Sequence, residues 1–351
     1  MVRFSDIIKL GDKNTAKEVS HKAEKEEQPR LSETQVLETM GEKPAPAPSS
    51  ADNSSLEVVS YYEKFIEKAI EIRDRVIGDQ GISPSPILSD LHHILENKLI
   101  DKLYEYSMST SDDYDQIIVH NVNVTFASLR MGEGMNYETK RFLQLGLAAF
   151  LQNIGMYKIP DHILRKESSL EEFEMEIIRR HPEVGSHILS KMGSRYQWLV
   201  EVALQVHERS DGSGYPRGLK GPEISELASI IGLTDTFIAM IKPRPYRDKL
   251  LRPEAVKYII KEAKRLFPPK ILKVFLNQIS LFPVNTYVRL NNKSIGRVVS
   301  TDQKQPLRPE IELLYDALGA KLRKKEIVRL SENPLLYITE SIDDRKTPGK
   351  M

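Results

Sequence analysis

The sequence predicts a mainly α protein that ends in a small antiparallel β module. Three observations carry the prediction. Apolar residues recur at spacings of three and four through most of residues 56–281, beyond Pro283 the pattern switches to alternation around turn-forming pairs, and no apolar stretch nears the roughly 18 residues of a membrane span. The 351 residues are 40% apolar, 29% charged and 7% aromatic, the makeup of a soluble globular protein and not of a fibrous or wholly disordered chain.

Residues 1–55 read as a disordered tether. They mix Lys and Glu and then run through PAPAPSSADNSS, with too few large apolar residues to offset the entropy of ordering. At the tip, Val2, Phe4, Ile7, Ile8 and Leu10 suggest a short amphipathic helix stopped by Gly11, either a frayed end or a docking peptide. The acidic residue inside that segment argues against a secretory signal.

Residues 56–110 read as a helical segment. Val58, Tyr62, Phe65, Ala69, Ile72 and Val76 form a heptad seam, and Val59, Ile66, Ile70 and Ile77 widen it. That width favours packing on a domain, and a dimer through 56–78 is the alternative use of the seam. After Gly81, Pro84 and Pro86 a second helix is expected from about Ile87 to Tyr106. His92 and His93 on it are adjacent, point about 100° apart, and make a poor chelating pair.

Residues 111–281 read as a succession of helices. LQLGLAAFLQ is apolar enough to be buried, with Gly155 suited to a helix end. EEFEMEIIRRHPEVGSHILSKM, YQWLVEVALQVH, ELASIIGLTDTFIAMI and PEAVKYIIKEAKRLF follow. IIVHNVNVTF conflicts, because its β-branched residues favour a strand on propensity alone. Residues 282–345 form the β module, with NTYVRLNNKSIGRVVS and EIELLYDALGAKL as hairpins turning at Asn-Asn and Leu318-Gly319. Residues 346–351 read as a disordered tail.

Composition excludes several chemistries. The absence of cysteine rules out disulfides, zinc–thiolate sites, iron–sulfur clusters and cysteine nucleophiles, and points to a reducing, cytoplasmic compartment. Lys and Arg total 51 against 50 Asp and Glu, so nothing in the overall charge invites nucleic acid or an anionic membrane. Any anion must be held by a local cluster. The 8 histidines are the only nitrogen donors suited to transition metals.

The string HERSDGSGYP at 207–216, continued by RGLKGPEI, resembles the HD-GYP family of metal-dependent phosphodiesterases that hydrolyse cyclic di-GMP. HNVNV at 120, LAAFLQNIGMYKIP at 147, HPEVGSHIL at 181, LTDTFIAM at 233 and RPYRDKL at 244 follow the family order, over most of 111–281. The resemblance implies a helical HD-GYP bundle and places IIVHNVNVTF in a helix. It also extends to the β module, which is similar to the tail behind many such domains.

Active members hold two or three metal ions with histidines and carboxylates from several helices. Carried over residue by residue, that set is degenerate. His120, His181, His207 and Asp235 are kept, whereas Gln116, Gln152, Asn153, Met156 and Val206 stand where the family has Glu, His, Asp, Lys and His. Two divalent ions about 3.5 Å apart repel by roughly 19 kcal/mol even at an effective dielectric of about 20, so bridging anions must offset that repulsion. An amide at 153 is neutral and cannot bridge as a carboxylate does, and Val206 offers no donor. The expectation is no cofactor, or at most one weakly bound divalent transition metal on the four remaining donors. The alternative is that His120, His181 and His207 hydrogen-bond the amides of Gln116, Gln152 and Asn153.

Arg244 and Arg247 match basic residues that the family directs at the dinucleotide phosphates, and their guanidinium forks suit such contacts, although pairing with residues such as Asp248 would explain them equally. Gly214, Tyr215 and Pro216 match a loop that the family uses near its ligand, through Tyr215, and in contacts with diguanylate cyclase (GGDEF) domains. The expected function is a catalytically degenerate HD-GYP protein, a bacterial signalling or scaffold module acting through protein partners and cyclic di-GMP binding, with no nucleic acid. The alternative is an active phosphodiesterase with a remodelled metal site.

Overall fold

The computed structural model describes all residues except 1–52, 110–113, 167, 243–249, 251, 263, 280–281, 283, 302–304, 306 and 343–351. The expected tether and its tip, the tail, Asp248, Arg244 and Arg247 therefore lie outside the described residues. The rest falls into two compact units, a helical one of residues 53–250 with 254–279, and a β unit beyond.

The helical unit opens with α1 (Asn53–Ile77). Its seam residues Val58, Tyr62, Phe65, Ala69, Ile72 and Val76 are all buried. They pack on α3 (Ile100–Ser109), α4 (Gln116–Gly134) and the 3-10 turn Ile154–Lys158. Phe65 stands 5.2 Å from the Phe126 ring and 5.3 Å from that of Phe150. Full burial of such a ring contributes roughly 2–3 kcal/mol. The seam is thus occupied within the chain, and a dimer through 56–78 would be left with the outward Leu56, Val59 and Ile77.

The second expected helix is two, α2 (Ser85–Glu96) and α3. The Asn97 side chain bonds the His93 carbonyl at 2.9 Å, and Lys98 takes a positive φ of 53°, which ends the first helix and redirects the chain. The strand-like IIVHNVNVTF lies in α4. Asp115 caps it by accepting the Ile117 N–H at 2.9 Å, and residues 121–132 are buried without interruption. A helix enclosed on all sides takes β-branched residues because packing outweighs their small propensity cost.

α5 (Thr139–Leu151) packs along α4 and leads into the 3-10 turn. Short α6 (Asp161–Leu164) follows. The single helix expected after it breaks into α7 (Glu172–Arg179) and α8 (His181–Ser190), because Pro182 cannot donate to the preceding turn. α9 (Gln197–Gln205), α10 (Glu226–Ile241), α11 (Arg252–Glu262) and α12 (Pro269–Gln278) complete the unit. α10 packs on α4, α5 and α9.

The β unit is a five-stranded antiparallel sheet in the order β4-β3-β2-β1-β5, from β1 (Tyr287–Leu290), β2 (Ile295–Ser300), β3 (Glu310–Tyr315), β4 (Lys321–Arg329) and β5 (Ile338–Ile342). Both expected hairpins are present, β1–β2 around Asn291-Asn292 and β3–β4 around Leu318-Gly319, with Gly319 at φ 84°. Val288, Leu290, Val298, Ile311 and Tyr315 are its buried face. The edge strand β4 is dense in Lys and Arg, which discourages pairing with another chain.

Candidate functional site

Several close backbone approaches bring the family-matched residues together. Gly155 serves such a contact and not merely a helix end: a Cβ there would stand 2.0 Å from the His181 carbonyl oxygen, so only glycine lets the 3-10 turn meet the start of α8. His120 is the fifth residue of α4, Gln152 caps α5, His181 opens α8, and Asp235 is on α10. Val206 caps α9, with His207 just beyond.

The donors satisfy one another in two sets. His120 Nε2 lies 2.8 Å from Asp235 Oδ1, which also accepts from Gln152 Nε2 at 3.2 Å. A carboxylate only accepts, so His120 donates from Nε2. In the second set, His181 Nδ1 donates to the Ile178 carbonyl at 2.8 Å, leaving Nε2 as an acceptor, and His207 Nε2 donates to it at 3.0 Å. Burial pushes His181 down to about 4, against the smaller upward pull of the Ile178 bond and Asp235. Burial and then the neighbouring His181 hold His207 well below the ordinary histidine value, so both rings are neutral.

The expectation that the three histidines bond the amides is therefore corrected. Asn153 donates instead to Asn121 Oδ1 at 2.9 Å, and Asn121 donates to the Tyr157 hydroxyl at 3.2 Å. Gln116 is exposed, and Val206 is buried without a donor. Met156 is half-buried. Gln152 Oε1 is a buried acceptor with no hydrogen-bond partner among the described residues.

Tyr215 stacks on His207, with ring centroids 4.9 Å apart and planes 4° from parallel. The loop that carries it is held by a residue sequence reasoning passed over. Glu208 is 2% exposed; its Oε1 accepts the Arg217 N–H at 2.7 Å and its Oε2 the Leu219 N–H at 2.9 Å. Gly214 approaches the Glu208 backbone so closely that a Cβ would stand 2.4 Å from Glu208 Cα. Arg209 donates to the Val206 and Glu208 carbonyls and lies over the Phe267 ring at 4.9 Å. The sequence carries no signal for this role, because the partners of Glu208 are backbone N–H groups.

These residues do not fit a two-metal centre. The bridging position is an amide committed to Asn121, one histidine position is Val206, and among the described residues no three His, Asp or Glu side chains are arranged to hold an ion.

Residues 106–271 match the HD domain, and residues 287–350 match the KOW domain associated with HD domains. A cyclic di-GMP phosphodiesterase of Pseudomonas aeruginosa is 30% identical over 223 residues, 64% of this chain and 53% of that one. A cyclic di-GMP phosphodiesterase of Thermotoga maritima is 39% identical over 158 residues, 45% of this chain and 43% of that one. Among solved structures, an HDG"Y"P protein of Bdellovibrio bacteriovorus superposes with a TM-score of 0.52 at 16% identity, covering 69% of this chain and 76% of its own. The chain spans about half the length of the curated relatives it matches. Within the helical unit, residues 106–271 are thus an HD domain. These matches support its resemblance to the HD-GYP family. Among the described residues no helix is long and apolar enough to cross a membrane.

Proposed function

We propose that this chain is a degenerate HD-GYP protein without two-metal phosphodiesterase chemistry, a bacterial signalling or scaffold module that presents the Gly214–Tyr215–Pro216 loop to protein partners. A GGDEF domain is the partner class of first choice, and cyclic di-GMP is the candidate small ligand. One observation supports the reading above the others. The side chains at the metal positions are engaged with one another: His181 with His207, His120 and Gln152 with Asp235, and Asn153 with Asn121. Phosphodiester hydrolysis in this class needs a pair of ions to clamp the phosphate and activate water, and the remaining donors cannot neutralise such a pair. The test combines metal analysis of the purified protein with a cyclic di-GMP hydrolysis assay. Two or more iron or manganese ions per chain together with turnover would sink the proposal.

The second reading, an active phosphodiesterase on a remodelled single-ion site, draws support from two spacings. Donors at right angles about 2.1 Å from one ion lie about 3 Å apart, which is the separation within the His181–His207 and His120–Asp235 pairs. It requires hydrolysis that a chelator abolishes and that Asp235→Ala removes.

A further inference from the structure

The helical unit contains a cavity of about 430 Å³ whose lining includes none of the four family-matched metal donors nor Tyr215. Its walls are the first turn of α10, the segment Lys264–Pro268, the first turn of α12, and Ser210 and Gly221 at the base of the glycine-rich loop. Two helix N-termini therefore converge on it, those of the 16-residue α10 and the 10-residue α12, and neither N-cap residue, Ser225 or Pro268, makes a side-chain cap. Both helix dipoles point their positive ends at the cavity, that of α10 partly balanced by Glu226 at its first position, and α12, opening on Pro268-Pro269, keeps the Lys270 N–H as its free donor.

The charged lining has the same sign. Lys264, Arg265 and Lys270 face the single carboxylate of Glu226. Lys270 is 3.2 Å from Glu226, Arg265 reaches Asp211 only at 3.7 Å, and Lys264 has no ion-pair partner among the described residues. Ser229 supplies an independent observation. It lines the cavity, is only 5% exposed, and its hydroxyl has no hydrogen-bond partner among the described residues. On a residue this enclosed the hydroxyl is reached from the cavity, where it is available to a polar group from outside the chain. The remaining wall is apolar, with Ile224, Pro222 and Phe267, and Phe267 is fixed from one side by the Arg209 guanidinium.

We propose that this cavity binds a small phosphate monoester with a flat apolar body, the chemical class to which nucleoside monophosphates belong. The phosphate takes the helix N-termini, Lys264 and the Ser229 hydroxyl, and the flat body lies on the Ile224–Phe267 wall. Because Ser210 donates its N–H to the Leu266 carbonyl at 2.9 Å and Gly221 donates to the Ser210 carbonyl at 3.1 Å, an occupant braces the base of the loop that carries Tyr215.

The test is calorimetric titration of the full chain with phenyl phosphate, with inorganic phosphate and phenol as partial probes. Saturable binding is expected for phenyl phosphate, weaker binding for phosphate and none for phenol. Lys264→Glu is exposed and should fold normally; it should weaken phenyl phosphate binding by about tenfold or more, and Ser229→Ala by about threefold to tenfold. Hydrogen exchange at Ser210 and Gly221 should slow on binding. The proposal fails if phenyl phosphate shows no saturable heat at millimolar concentration, or if both variants bind like the wild type. It also fails if Tyr215→Ala removes binding while these two variants keep it, since the ligand would then occupy the histidine-lined site.

Discussion

The Glu208 carboxylate makes the loop at 209–220 a test of physical reasoning, because one side chain holds two main-chain N–H groups, Arg217 and Leu219, at 2.7 and 2.9 Å. Glu208→Gln keeps the shape and one acceptor but turns an NH2 group toward the other N–H. One charge-assisted bond is lost, and two donors face each other where the residue is 2% exposed and water cannot substitute. A bond of this kind contributes roughly 1.5–3 kcal/mol, and opposing donors add to that, for a cost of about 3 kcal/mol. At 2–4 °C per kcal/mol for a unit of this size, thermal melting should fall by roughly 6–12 °C if the loop unfolds with the rest. Hydrogen exchange is the more direct assay. The Arg217 and Leu219 amides should exchange about a hundredfold faster, since 3 kcal/mol of opening energy corresponds to that factor. Unchanged exchange at both amides would refute the assignment of Glu208 as the loop's fastener.

In metal-free protein, His181 should make stability fall as the pH drops from about 6.5 toward 4, because the unfolded chain takes up the proton first and the folded ring is pushed down to about 4. The loss approaches about 3 kcal/mol for this group alone, and denaturant titrations at pH 7.5 and 4.5 measure it; a flat profile contradicts the assignment. Gly155→Ala sets a Cβ 2.0 Å from the His181 carbonyl and should cost about 3 kcal/mol or more, read as a lowered urea midpoint. Asn153→Asp removes the donor that Asn121 accepts; the Asn121 amide can turn to compensate, but a buried charge remains. A loss of about 2 kcal/mol is expected at pH 7, fading as the pH falls through the raised pKa of the new carboxyl group, and urea melts at two pH values test it.

How much the sequence revealed depends on whether the deciding interaction is local. α1 was legible because its seam repeats along one element and every seam residue is buried. α4 was not legible from propensity, since its β-branched run is overruled by enclosure from all sides, and only the family-like string placed it correctly. The break between α2 and α3 escaped because Lys98 takes a positive φ without being glycine. At the site, the family-like strings named residues that the fold brings together, but not their pairing. His120 and Asp235 are 115 positions apart, and whether each meets an amide or the other is settled by tertiary packing. Glu208 was missed because its partners are backbone N–H groups, which leave no trace in residue identity.

The fastening of the loop bears on the proposed partner recognition. Glu208 holds it at Arg217 and Leu219, a bridge between Asp211 and Lys220 closes it, and His207 backs the Tyr215 ring, all from within the chain. On the proposed function, a partner meets a surface already ordered before contact, so little conformational freedom is lost in that loop on binding.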